Sequence, residues 1–169
     1  MGKEGENVKR CVNYKNNALK NRQNRYLRTG KTDTERYKEL RAETIEKISK
    51  CFYILLSTRY KVTDEKMDNI NAIVDGYAMR YQTMIMSHNK EFADKWIKEQ
   101  AEGAMDSDYV LPAVIYPKTR RQWDELNVKR DVGNVAVPSY VVAIRKELDF
   151  NNNKIRFLLN EFNSLYREA

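Results

Sequence analysis

Between positions 37 and 88 the large apolar residues return every three or four places, and this period constrains the fold more than any other feature of the chain. Tyr37, Leu40, Thr44, Ile48, Cys51, Phe52 and Leu55 share one face of a helix, and Met67, Ile70, Val74, Tyr77, Tyr81, Met84 and His88 share a face of the next. Two such stripes in succession predict packed antiparallel helices. With 41% hydrophobic and 33% charged residues, and only six Gly and three Pro in 169 positions, the composition suits a soluble, helix-rich protein large enough to bury a core of its own. The expected fold is all-α, a bundle of about four to six helices.

Local signals place the boundaries. Thr32 and Glu35 have capping-box spacing and open a first long helix over about 34–60. Tyr53, Ile54 and Leu56 fall off its stripe, so its end is expected either deep in the bundle or against a second subunit. Thr63 followed by Asp64 and Glu65 opens a second helix. Ser87 to Asn89 either breaks or bends it, giving helices at 64–88 and 90–101 or one continuous element through Phe92, Trp96 and Ile97.

From 105 to 139 the pattern changes. Asp106, Ser107 and Asp108 signal a loop, and 109–116 is an apolar run that Pro112 and Pro117 keep out of helix and central strand. Thr119 and Gln122 predict a short helix through Trp123 and Leu126, after which Gly133, Asn134 and Pro138 bracket 135–137 as loop or edge strand. Ser139 is then expected to cap a helix carrying Val141, Ile144 and Leu148. A turn at Asn151, Asn152 and Asn153 leads to the last helix, with Ile155, Leu158, Leu159, Phe162, Leu165 and Tyr166 on its stripe. The domain reading is therefore an arm over 1–31 and one helical domain over 32–169. The domain has long helices to 104, an irregular segment at 105–139 and a helical pair from 140. A stretch as long as 105–139 without strong periodicity is usually functional or clamped by a partner.

Charge is segregated as sharply as hydropathy is patterned. Residues 1–31 hold nine basic and two acidic residues, a net +7 that equals the charge of the whole chain, because 32–169 carries 22 of each sign. Lys9, Arg10, Lys15, Lys20, Arg22, Arg25, Tyr26, Arg28 and Lys31 are the candidate contact residues, suited to phosphate through the cations and to base stacking through tyrosine. Val8, Val12, Leu19, Tyr26 and Leu27 would form a thin apolar stripe on a helix, but the Asn residues at 13, 16, 17, 21 and 24 weaken it. The arm is expected to be largely unfolded alone and to order as helix against an acidic surface. Lys118, Arg120, Arg121, Lys129 and Arg130 form a secondary basic cluster, with Trp123 beside it as a stacking candidate, although a tryptophan in a short amphipathic helix is more often core.

Other chemistries find little footing. The longest apolar run, 51–57, is far short of the ~20 residues of a membrane span. The basic N-terminus lacks the apolar stretch of a secretory signal, so the chain is expected in the cytoplasm or in a particle assembled there, with Cys11 and Cys51 reduced. Gly30, Lys31 and Thr32 match only the end of a phosphate-binding loop, with Arg25 where its first glycine belongs. His88 on an apolar face reads as a packed or hydrogen-bonded side chain, and Cys51, Cys11 and His88 lack metal-ligand spacing. A nucleophilic pair of Cys51 and His88 is disfavoured because Cys51 faces the core. Asp106, Asp108, Asp124, Glu125 and Asp131 lie among cations, where surface ion pairing accounts for them.

No catalytic residue, metal or cofactor is therefore expected. The sequence reading is a non-enzymatic assembly subunit, a homo-oligomer or part of a larger particle such as a virion connector ring or a ribonucleoprotein. Its arm would contact nucleic acid or neighbouring acidic subunits and no membrane. The alternative is a free DNA- or RNA-binding regulator that uses the same arm.

Overall fold

Helices account for all the regular secondary structure among residues 18–169, the part of the chain that the computed structural model describes. Helix α1 covers residues 18–29, followed by α2 (Asp33–Thr58), α3 (Asp64–Ser87), α4 (Lys90–Gln100), α5 (Arg120–Leu148) and α6 (Asn152–Glu168). One isolated bridge pairs Glu102 with Met105. The chain divides into two compact units, Met1–Glu39 and Leu40–Ala169, with the division inside α2.

The helix starts follow from their caps. At the head of α2 the Glu35 amide donates to Thr32 Oγ1 and the Thr32 amide to the Glu35 carboxylate, both at 3.2 Å. Thr63 caps α3, and Thr119 with Gln122 forms a second reciprocal box at the head of α5. Asn89 settles the 87–89 question. Its backbone is extended and its side chain accepts from the Phe92 amide at 2.8 Å, so α3 ends and α4 begins there as a separate helix.

Within the second unit, α5 is the central element and packs against α3, α4 and α6. An aromatic stack ties α5 to α2 and α6: the Phe52 ring lies 4.4 Å from that of Tyr140 and 4.2 Å from that of Phe162, nearly parallel to both. Ile48, Leu56, Ile70, Ile97, Leu111, Ile144, Ile155 and Leu158 fill the space around it. The two expectations for the end of α2 divide: Leu56 is fully buried, while Tyr53 and Ile54 stay about half exposed.

The middle of the chain departs from expectation. Residues 135–137 are neither loop nor edge strand, and Ser139 caps nothing: both lie inside the 29-residue α5, which takes in Gly133, Asn134 and Pro138. A proline in a helix interior costs ~3 kcal/mol and a glycine ~1 kcal/mol. Every residue from Val137 to Ile144 is buried, however, and each large apolar side chain removed from water contributes roughly 1.5–3 kcal/mol, so burial wins. The irregular stretch is correspondingly shorter, from Ala101 to Thr119.

In the arm, residues 18–29 form helix α1. Asp33 supplies some of the charge neutralisation locally, 3.2 Å from Arg25 and 3.7 Å from Arg22. Gly30, at φ 68°, ends the helix by donating its amide to the Tyr26 carbonyl. Lys9, Arg10 and Lys15 lie outside the described residues. Of the two expectations for His88, packed or hydrogen-bonded, the second holds: the ring is exposed, stacked on Phe92 and 3.0 Å from Ser87 Oγ.

Candidate functional site

Three surfaces carry the chemistry of this chain. In the first unit, the spacing along α1 sets Leu19, Tyr26 and Leu27 on one side and Lys20, Arg22, Arg25 and Arg28 around the other. All three apolar side chains are exposed, Leu27 at 80%. Lys31 reaches Glu39 at 2.8 Å, and Arg22 and Arg25 share Asp33. The exposed pairs of Arg22 and Lys31 hold by only ~0–1 kcal/mol, so these two cations remain exchangeable for a competing anion, while Arg25 is partly buried.

In the second unit, α2, α3 and α5 enclose a cleft of about 710 Å³. Its floor is the Tyr140 hydroxyl, 2.9 Å from Ser49 Oγ and 3.2 Å from Asn71 Oδ1. With one proton to give, Tyr140 donates to Asn71 and accepts from Ser49. Ile45, Val74, Ile85 and Val135 form apolar walls, and Lys90 and Asp131 face each other across 3.6 Å at the rim. Burial raises the Tyr140 pKa, with the Ser49 hydrogen bond opposing, so the phenol stays protonated and offers Ser49 no base. The cleft can pack apolar groups and exchange hydrogen bonds.

The third surface is the segment before α5. Leu111 is fully buried against Gly133, where a Cβ on the glycine would come within 2.9 Å of the Leu111 Cβ. Arg130 Nε donates to the Leu111 carbonyl at 3.2 Å, the Tyr109 hydroxyl to Asn163 at 2.8 Å, and the Lys118 amide to Gln122 at 2.7 Å. Pro117 is buried as well. Between these anchors Val114, Ile115 and Tyr116 project into solvent, Ile115 at 78% and Tyr116 at 74% exposure, with the Trp123 ring edge-on to Tyr116. The pinned loop thus presents apolar side chains to water.

No family model, curated protein or solved structure matches this chain. Function has to be read from these surfaces alone.

The structure does not gather the secondary basic cluster into one face. Lys118, Arg120 and Arg121 lie at the head of α5, Arg121 paired with Glu125 at 3.6 Å, while Lys129 and Arg130 lie more than two turns on. Arg130 turns inward to Leu111, and Lys129 enters a recess beneath the pinned loop. Trp123 is partly exposed, at 40%, so it is not a core residue. The sequence reading passed over Lys47 and Tyr166 as contact residues, yet they line the same recess, Lys47 Nζ 4.0 Å from the Tyr166 ring centroid. Tyr166 reads as core from its place on the α6 stripe, and Lys47 lies beside the α2 stripe, between Thr44 and Ile48, with no signal of its own.

Cys51 is 2% exposed and burial raises its thiol pKa, with Lys47 opposing, which leaves a protonated, shielded sulfur. The exposed His88 lies 3.0 Å from Ser87 Oγ. Among the described residues no three His, Cys, Asp or Glu side chains are placed to hold a metal ion, and no helix is long and apolar enough to cross a membrane.

Proposed function

We propose that this chain is a non-enzymatic assembly subunit whose helical bundle packs against other chains and whose basic arm reaches nucleic acid or acidic neighbouring subunits. The observation that carries the reading is the segregation of charge, a net +7 within residues 1–31 beside a neutral remainder. Its described part, α1, offers cations on one side and exposed apolar side chains on the other, a form suited to lying on an anionic surface. A particle such as a virion connector or a ribonucleoprotein is the kind of assembly in which such an arm threads between subunits or along nucleic acid.

The second reading is a free DNA- or RNA-binding regulator, favoured by the exposed Tyr116 and Trp123 beside Lys118, an arrangement able to stack bases and meet phosphates. One experiment separates the two. Mass in solution is measured by light scattering, with and without mixed-sequence nucleic acid, for the full chain and for a variant lacking residues 1–31. Loss of the oligomer in the shortened chain supports the assembly subunit. Loss of salt-dependent nucleic-acid affinity with the mass of the protein unchanged supports the regulator. A salt-insensitive monomer without nucleic-acid affinity counts against both.

The arm can also be tested by charge. Replacing Lys15, Lys20, Arg22 and Arg25 by Gln is expected to weaken docking while the bundle stays folded by circular dichroism. For a nucleic-acid partner the salt slope should fall by roughly one for each phosphate that is no longer neutralised. Unchanged docking would show the arm to be a passive tail.

A further inference from the structure

Beneath the pinned loop lies a recess of about 320 Å³ whose chemistry differs from that of the other two surfaces. Pro112, Val114, Ile115, Pro117 and Leu126 form its apolar walls, and Lys47, Lys129 and Tyr166 line it as well. Glu125, the carboxylate that also lines it, is engaged by Arg121 at 3.6 Å. No ion pair to a carboxylate is found for Lys47 or Lys129 among the described residues; Lys47 rests on the face of Tyr166.

Two like charges held near one another beside apolar walls leave an unfavourable local field that an anion would relieve. In accord with this geometry, the Lys47 pKa is lowered, first by burial and further by Lys129, with Cys51 opposing. The size narrows the occupant: this volume is at the small end of ligand sites, room for one large side chain. The walls narrow it further. A phosphate would lose its hydration against proline and aliphatic carbon, and Tyr166 is capped by Lys47, so the recess has no open ring face on which a base could stack.

We propose that this recess docks an acidic-apolar segment of a partner protein, one aliphatic or aromatic side chain entering between Pro112, Ile115 and Leu126 while a neighbouring Asp or Glu carboxylate meets Lys47 and Lys129. The exposed Ile115 and Tyr116 then become the rim that closes over the segment. The inference rests on the assembly reading only in taking the occupant to be a protein. The recess lies entirely within the second unit, so deleting residues 1–31 tests the arm and leaves this site intact.

The test is a selection from a displayed library of random short peptides on the immobilised full chain, followed by affinity measurement with the recovered peptides. Recovered sequences are expected to share Asp or Glu next to Leu, Ile, Phe or Trp. Their affinity should fall at least tenfold in Lys129→Glu and in Ile115→Ser, with helical content by circular dichroism unchanged. Lys129→Arg, which keeps the charge, should retain most of the binding. Recovery of no acidic-apolar motif, affinity indifferent to Lys129→Glu, or competition for the same recess by mixed-sequence oligonucleotide would overturn the proposal.

Discussion

Gly133 shows how much one side chain decides. It sits within α5, where alanine would ordinarily favour the helix by ~1 kcal/mol. Here the added Cβ would meet the Leu111 Cβ at 2.9 Å, a backbone-proximal atom that cannot swing aside. Gly133→Ala is therefore expected to destabilise the fold by roughly 1–3 kcal/mol, as overpacking does. Leu111→Ala alone should cost ~2–5 kcal/mol by leaving a cavity. In the Leu111→Ala background, Gly133→Ala should become neutral or stabilising, and a double-mutant cycle in denaturant would read the coupling. Additive costs would mean that the two residues do not meet. The same contact anchors the Pro-marked segment to α5.

Among the elements, α4 depends most on its cap. It has only eleven residues, too few to hold in water on propensity alone, and it buries Ala93 and Ile97. Its first turn is fixed by Asn89, so Asn89→Ala is expected to cost about 1 kcal/mol in global stability and to raise amide exchange through the start of α4. Unchanged exchange there would show that packing on α3 and α5 suffices without the cap. Helix α5 is the opposite case. It contains the poorest helix residues of the domain and is the most deeply buried; the Ser139 hydroxyl donates back to the Val135 carbonyl at 2.6 Å, one residue past the Asn134 carbonyl that Pro138 leaves without an amide, so packing and not this bond holds the helix.

At the scale of the whole molecule, several tyrosines couple stability to pH. Tyr81, hydrogen-bonded to Asp94, joins α3 to α4, Tyr109 joins the pinned loop to α6, and Tyr166 closes the core of α6. Burial is the first cause of the raised pKa in all three, and Tyr166 is pushed up to about 12 from an ordinary value of 10. A raised folded pKa means that the folded state holds the proton more tightly than the unfolded chain. Its stabilisation is complete below about pH 10 and is lost as pH rises through the folded value. Lys47, with its pKa lowered, acts in the opposite sense as it deprotonates, but it is one group against these three phenols, and Tyr60 and Tyr140 are raised as well. The denaturation midpoint is thus expected to fall from about pH 10 upward, together with a delayed rise in tyrosinate absorbance. Tyr81→Phe should flatten the fall, and a midpoint flat to pH 12 would contradict the burial of these phenols.

The sequence by itself determined the helical class, the starts of α2, α3 and α5, the inner stripes of α2, α3 and α6, and the segregation of charge, because caps and periodicity act over one or two turns and are written locally. Only the tertiary structure decided that α5 runs unbroken through Gly133 and Pro138, since the burial that outweighs two poor helix residues comes from neighbours distant in the chain. It also decided that Lys47 and Lys129, 82 positions apart, meet at one recess under a pinned loop. Lys129 stands out in the sequence only as one of a basic cluster, and Lys47 does not stand out at all. What brings them together is the packing of α2, α5 and α6 around the Phe52 stack, a long-range arrangement that no local pattern encodes.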